Sequence, residues 1–429
     1  MRYKKSNELF KRANKVIPLA SQTFSKSYIS YPKNHAPLFL THGKDGHVWD
    51  VDGNEYVDFV NGLLPNVLGY NDKDIIKEVK KNLHIGPTLS MASEYEIMLA
   101  EELVKIIPCA EMVRFGKNGT DVTSAAIRLA RAYTKRERIA TCGYHGWQDW
   151  YIDKTSRNKG VPKAVQNLTS VFPYNDLSKL DEVLNNYPNE FAAVIMEPMT
   201  FEKPNKGYLE SVRKITRKHG CLLIFDEIIT GFRFDIGGAQ KLFGVTPDIA
   251  TFGKSMGNGF PISAIVGKKK FMKQMEEIFF SSTFGGEIVS IIAALAVIKK
   301  MKMEPVIDEI YLKGSEIIKR VSLLINDYNL KNFFSVTGHP SWSIININGN
   351  ESMTQYQIKT LLLQDFLNNG ILSSGTHNVC FKHTKRDINK LIKVYELFFE
   401  KFRDMIDKEL CIEDFLVSPV VKPIFKIRP

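Results

Sequence analysis

Apolar positions change texture along the chain, and each texture predicts its own kind of element. Near the start, Leu9, Phe10, Ala13, Val16 and Ile17 recur at helical spacing and stop at Pro18, which predicts an amphipathic helix over residues 7–17. Alternating segments follow around Leu38-Phe39 and His47-Val48-Trp49. The turn residues of Asp50-Val51-Asp52-Gly53-Asn54-Glu55 then lead into Tyr56-Val57-Asp58-Phe59-Val60. A period of two broken by Asp, Gly and Asn predicts a small antiparallel sheet.

From about residue 71, short continuous apolar runs alternate with helical patterns. Met112 to Phe115, which carries Arg114, and the more continuously apolar Ile139 to Cys142, Phe191 to Met196, Cys221 to Phe225 and Ile249 to Phe252 read as strands. Strands of that kind are covered on both sides, so the fold class is α/β, a mostly parallel sheet between helices. Each run ends on residues that carry chemistry: Asn118-Gly119-Thr120, Tyr144-His145-Gly146, Glu197-Pro198, Asp226-Glu227 and Gly253-Lys254. In open parallel sheets ligands collect beyond the carboxyl ends of the strands, where all of these residues fall.

Beyond Thr283-Phe284-Gly285-Gly286 the pattern predicts a long apolar helix to about Lys300 and another from about Pro305 to Asn326. Strand texture resumes at Ser343 to Ile347. Thr384-Lys385-Arg386-Asp387 has capping-box spacing and opens a helix whose stripe runs from Ile388 through Phe398 and Phe402 to Ile406. The tail from Cys411 to Pro429, with three prolines, is expected to be extended.

Composition narrows the function classes. At 429 residues, with 44% hydrophobic and 24% charged residues, the chain is ordinary globular protein of more than one domain. The nearest approach to a membrane span, Ile288 to Ile298, falls short of the roughly 18 apolar residues required and is interrupted by Ser290. Met1-Arg2-Tyr3-Lys4-Lys5 is basic with no apolar core behind it, so the expectation is no secretory signal and a cytoplasmic location. Five scattered cysteines without a CxxC pair point to neither a disulfide framework nor a zinc site, and no metal is expected. The formal charge of +11 has local clusters at Lys268-Lys269-Lys270 and Lys299-Lys300, but no interleaved aromatics of a nucleic-acid module. A solvated basic surface is expected, and a phosphorylated or nucleotide-linked small substrate is a milder use of the same charge.

Gly253-Lys254-Ser255 resembles the end of a phosphate-binding loop of nucleotide hydrolases, yet that loop needs a glycine where this chain has Asp248. The residues fit pyridoxal 5′-phosphate instead. A desolvated, glycine-flanked Lys254 can lose its proton near neutral pH and meet a carbonyl. Asp226 at a strand end can pair with a pyridine nitrogen. Gly119 and Thr120 offer amides at a helix start for a phosphate, and Tyr144 offers an aromatic face.

Together with Asp226-Glu227-Ile228-Ile229-Thr230-Gly231-Phe232-Arg233 and the strand pair Trp49 to Asp58, these motifs closely resemble the class III pyridoxal-phosphate aminotransferases of fold type I, from about Asn7 to Phe402. Within that class the chain looks most like glutamate-1-semialdehyde 2,1-aminomutase and the aminomutase-like aminotransferases of surface-polysaccharide pathways. The resemblance implies a large domain over 71–320, with a seven-stranded-type sheet, and a small α+β domain made from both chain ends, 1–70 and 321–429. It implies Lys254 as Schiff-base and proton-shuttling lysine and Asp226 on the pyridine nitrogen. Asn118, Gly119, Thr120, Tyr144, His145 and Glu197 would complete the cofactor site, with Thr283 reaching the phosphate of a neighbouring subunit in a homodimer with shared active sites. Departures from the family bear on the substrate. Ile229 stands where many members have glutamine, Lys26 where the aminomutase has a carboxylate-binding arginine, and Leu63 where it has a tryptophan, while the aminomutase's glutamate has no clear counterpart near His377. Lysine neutralises an anion without the bidentate fork of arginine. The expectation is therefore a transaminase moving an amino group from an amino acid, glutamate by resemblance, to an aldehyde or ketone, sugar-related or phosphorylated, for a surface glycan. The intramolecular aminomutase is the alternative.

Overall fold

A computed structural model describes residues 2–423. Among them the strands run in chain order as β1 (Leu40–Lys44), β2 (His47–Asp50), β3 (Glu55–Asp58), β4 (Met112–Gly116), β5 (Arg138–Cys142), β6 (Thr169–Val171), β7 (Phe191–Met196), β8 (Leu222–Asp226), β9 (Ile249–Phe252), β10 (Ser263–Gly267), β11 (Phe334–His339), β12 (Trp342–Ile347), β13 (Ile371–Leu372) and β14 (Thr376–Asn378). The chain divides into two compact units. One takes residues up to Leu63, Leu68–Asp72 and the chain from Asp308 onward; the other takes Leu64–Val67 and Lys73–Ile307.

The larger unit holds a seven-stranded sheet in the order β4-β10-β9-β8-β7-β5-β6. Its centre is apolar on both faces, as the continuous runs require: every residue of β7, β8 and β9 is buried. Strands β9, β8, β7, β5 and β6 pair in parallel, and only β10 runs against its neighbours β4 and β9. That reversal, not anticipated from the sequence, leaves β4 pointing the same way as β9. The helix Gly119–Thr134 buries Val122, Ala125, Ala126, Leu129 and Ala130 in one cluster with Ile139, Ala193, Ile224 and Ile265 of the sheet. Alanines on that stripe let helix and sheet approach closely. A second apolar helix, Ile288–Met303, is buried on almost every side, which is why it shows no polar face in the sequence.

The other unit carries two small sheets, β1-β2-β3-β13 and β11-β12-β14. β3 pairs in parallel with β13, so the first and last parts of the chain share one sheet. The helix Lys385–Asp407 starts where the capping box places it: Thr384 Oγ1 accepts from the Asp387 N–H at 3.2 Å, and the Asp387 carboxylate accepts from the Thr384 N–H at 2.8 Å. Its stripe Ile388, Leu391, Tyr395, Phe398, Phe399, Phe402 and Met405 is buried, each large side chain contributing about 1.5–3 kcal/mol of burial. The N-terminal helix begins earlier than its apolar pattern, at Lys4. The tail is less extended than its prolines suggest. It forms a short helical turn at Ile412–Phe415, and the Val417 and Val421 N–H groups then bond Gln364 and Thr360. The part of the expected tail from 424 to 429 lies outside the described residues.

Candidate active site

Strands β9, β8, β7 and β5 end side by side, and each delivers one functional group to the same edge. Lys254 follows β9, Asp226 closes β8, Glu197 follows β7, and Gly143-Tyr144-His145 follow β5. Because β4 runs parallel to β9, the turn Lys117 to Thr120 arrives at that edge as well. The chain thus brings together residues spread over more than a hundred positions by one geometric rule, parallel strands ending at one edge.

The turn after β4 is held from both sides. The Asp121 carboxylate accepts from the N–H groups of Asn118 at 2.7 Å and Lys117 at 3.2 Å, and Ser263 Oγ donates to the Asn118 carbonyl at 2.8 Å. Thr120 Oγ1 is buried at the helix start and makes no hydrogen bond among the described residues. Gly146, at φ +109°, passes so close that a Cβ there would lie 2.5 Å from that same oxygen. Ile228 fills the space between this turn and the lysine turn: a Cβ at Gly119 or at Gly253 would come within 3.2 or 3.1 Å of it.

Asp226 is buried and fully engaged. Its Oδ1 accepts from the Ile228 N–H at 3.1 Å and its Oδ2 from His145 Nδ1 at 2.7 Å. His145 Nε2 lies 3.1 Å from the Cys142 carbonyl. A carbonyl only accepts, so the Nε2 that meets Cys142 is a donor. Thr123 Oγ1 fixes the His145 carbonyl at 2.9 Å, and Trp150 and Tyr151 wall the ring. His145, expected against the cofactor, has one ring nitrogen on Asp226 and the other on the Cys142 carbonyl. Glu227, beside it in sequence, is spent on the fold: its buried carboxylate accepts from the Thr230 hydroxyl and from the N–H groups of Ala239 and Gln240.

Lys254 sits at φ +41°, a backbone region that lysine rarely occupies; such strain costs on the order of 1–3 kcal/mol and is held by the surrounding structure. Desolvation brings its amine down to about 8, against the opposing pull of Glu197 and Asp226 and with help from the buried Arg233. Arg233 donates Nη2 to the Leu64 carbonyl at 2.8 Å, and Ser255 Oγ donates to the same carbonyl at 3.2 Å. Glu197 is displaced the other way, up to about 8, by burial and by the nearby Asp226 charge, with Lys254 and the Tyr144 N–H opposing. The Tyr144 ring is half exposed and meets Tyr151 edge-on at 5.6 Å. Thr283 is exposed in the loop before Ile288–Met303.

The three expected substrate residues belong to the other unit. Lys26 is exposed at the end of a single helical turn, and Leu63, at φ +75°, packs on the cluster of Tyr3, Val48, Tyr56 and Val60. His377 lies in the interior of its unit. It is wholly buried, Nδ1 on Ser343 Oγ at 2.9 Å and Nε2 on Tyr395 Oη at 2.7 Å, and burial pushes it down to about 4.

The model of the family described as aminotransferase class III matches residues 28–385. The chain belongs to the class III aminotransferases. It is 35% identical to a 3-aminobutyryl-CoA aminotransferase of Cloacimonas acidaminovorans over 90% of this chain and 94% of the relative. It is 32% identical to a glutamate-1-semialdehyde 2,1-aminomutase of Fusobacterium nucleatum over 95% of this chain and all of the relative. An ω-transaminase of Sphaerobacter thermophilus superposes with a TM-score of 0.85 at 27% identity, covering 92% of this chain and 97% of that one.

Class III aminotransferases use pyridoxal 5′-phosphate, and the residues present fit it. The Thr120 hydroxyl, without a hydrogen bond among the described residues, stands at the start of a helix and suits a phosphate, and Asp226 is an anchored carboxylate for a ring nitrogen. When bound, the cofactor supplies a carbonyl that takes up an amine and a ring that draws electrons from the bond being broken. The chain would meet it with the lowered amine of Lys254, the carboxylate of Asp226 and the aromatic face of Tyr144. Sequence reasoning missed Ile228, Gly146, Thr123 and Arg233. Of these only Gly146, in Tyr144-His145-Gly146, carried a signal, since a glycine following two bulky residues marks a close approach.

Proposed function

We propose that the chain is an intermolecular transaminase that moves the amino group of an amino acid, glutamate as donor, onto an aldehyde or ketone. The observation that carries this reading is Lys254 itself: its strained backbone and lowered amine are placed beside an anchored Asp226. In this reading Lys254 takes up and moves the proton, Asp226 holds the ring nitrogen, and Asn118, Gly119 and Thr120 hold the phosphate. Tyr144 covers the ring and Glu197 closes its edge. Lys26, exposed and cationic, serves the acceptor's anionic group, and Leu63 borders it.

The net charge of +11 supports an anionic acceptor. A sugar-related or phosphorylated acceptor for a surface glycan is one candidate class, and a β-keto thioester of the kind implied by the name of the Cloacimonas relative is the other. A homodimer with shared sites is supported by a surface of the larger unit. A cavity of about 1030 Å³ lined by Ile97, Val104, Met112, Phe115 and Phe280 opens beside the exposed Met91, Phe279 and Phe284. Thr283 stands between Ser282 and Gly285, which line that cavity, and in this reading it serves a second copy's phosphate turn. The five cysteines are all free, which suits a reducing cytoplasm. The second reading, an aminomutase, is favoured by the names of relatives 32–40% identical to the chain.

The test is spectroscopic. The purified protein is expected to bind pyridoxal phosphate with visible absorbance that Lys254→Ala abolishes, together with all but about a thousandth of turnover. Glutamate is expected to bleach that band with stoichiometric release of 2-oxoglutarate. Turnover of glutamate semialdehyde without any donor would select the aminomutase, and a protein that never takes up the cofactor would end both readings.

A further inference from the structure

Glu197 has no assigned chemistry beyond lying in the site, yet its surroundings dictate its state. It follows β7, between the ends of β5 and β8. Its own N–H donates to the Cys142 carbonyl at 3.3 Å, and its carboxyl abuts Gly143 so closely that a Cβ there would lie 3.1 Å from Oε2. The groups facing it are Asp226 from β8, Lys254 from the β9 turn, Tyr144 and Cys142 at the end of β5, Tyr151, and Tyr174 beyond β6.

Two carboxyls beside one lysine in a buried pocket do not ionise equally. Asp226 meets a histidine ring and a backbone amide, so the donors that favour an anion gather on it rather than on Glu197. Glu197 receives one backbone amide, from Tyr144, and is otherwise surrounded by phenols, a thiol and a neighbouring anion. Once Lys254 is committed to a carbonyl, it no longer presents a free ammonium to Glu197.

We infer that Glu197 is a neutral carboxylic acid in the loaded enzyme and donates a hydrogen bond to the phenolic oxygen of the cofactor. The inference rests on the pyridoxal-phosphate reading of the site. That oxygen is next to the carbon Lys254 takes, and the phosphate arm on the other flank belongs to Gly119 and Thr120. Glu197 is the acid that faces both Lys254 and Asp226, and the Ile229 side chain is hydrocarbon, with no donor for the oxygen. One carboxyl oxygen accepts from the Tyr144 N–H and the other carries the donated hydrogen, so both are used.

A neutral donor and an anion are separated by Glu197→Gln and Glu197→Leu. The readouts are the cofactor's dissociation constant and the pH midpoint of its visible band, neither of which needs turnover. Donation stabilises the deprotonated phenol, so losing it raises the midpoint. Glu197→Gln keeps a neutral donor and is expected to stay within about threefold of wild type in affinity with an unmoved midpoint. Glu197→Leu is expected to bind roughly tenfold more weakly with the midpoint about one pH unit higher. If Glu197→Gln behaves like Glu197→Leu, or if neither differs from wild type, the inference is overturned. An infrared difference spectrum of wild type against Glu197→Gln at pH 6–7 adds a check that survives loss of cofactor binding by either variant. The carbonyl stretch of a protonated carboxylic acid is expected in wild type alone, and an ionised carboxylate band in its place would overturn the proposal. A wild-type protein that shows that acid stretch but takes up no pyridoxal phosphate would fail the parent reading, and the donated bond with it.

Discussion

At the scale of single residues, the site works by unequal treatment of similar groups. Asp226 and Glu197 stand at neighbouring strand ends, yet one is given a histidine and an amide and the other a single amide. Lys254 is one lysine among many, but strained, desolvated and close to Arg233. The phosphate turn depends on something smaller, the missing side chain at Gly146. Gly146→Ala places a methyl 2.5 Å from Thr120 Oγ1 at a φ that alanine avoids. This variant is expected to lose at least tenfold in pyridoxal-phosphate affinity, measured by fluorescence titration, while its apoprotein melts within a few degrees of wild type. Equal affinity would mean that Thr120 does not serve the phosphate.

Among elements, His47 on β2 joins β3 to the last long helix. Its Nδ1 meets Glu55 at 2.7 Å and its Nε2 meets Asp387 at 3.0 Å. The hydrogen bond to Asp387 raises the imidazole above its ordinary 6.5, with desolvation opposing and Glu55 assisting. A raised folded-state value means the contribution is complete below 6.5 and disappears as pH rises through that higher value. Asp387 works in the opposite sense. Burial would raise it, but His47 and the Thr384 cap hold it down to about 2, so its contribution is complete above 3.8 and is lost only as pH falls through about 2. The small unit is therefore expected to be firmest from about pH 4 to 6.5 and to soften above, by up to about 1 kcal/mol for a partly exposed pair. Urea unfolding at pH 6 and pH 9 should show that decline in wild type and a smaller one in His47→Gln; equal declines would rule the bridge out.

For the whole molecule, the exposed apolar side chains of the larger unit matter most. Met91, Ile97, Phe279 and Phe284 are 83, 62, 85 and 57% exposed around a cavity that Ile97 also lines, a concentration that marks an interaction surface. If a second copy covers it and brings Thr283 to its neighbour's phosphate, assembly and activity share one cause. Ile97→Asp is expected to shift the protein from dimer to monomer in analytical ultracentrifugation and to cut turnover at least tenfold. A monomeric wild type of full activity would refute the shared site.

Much of this protein was legible in its residue pattern because burial on both faces writes itself as continuous apolar runs, and the polar residue at the end of each run marks where a parallel sheet collects ligands. Lys254, Asp226 and the turn at Gly119 could be read that way, as could the capped helix at Lys385–Asp407. Neighbours across the sheet could not, because side-chain partners depend on strand order, which periodicity does not encode. The antiparallel β10, the engagement of His145 by Asp226, Ile228 filling the space between two turns, and the burial of His377 among Ser343 and Tyr395 were all decided by packing. The sequence alone determined which reactive groups are carried; tertiary structure decided which donors each of the two carboxyls meets, since those donors arrive from other strands.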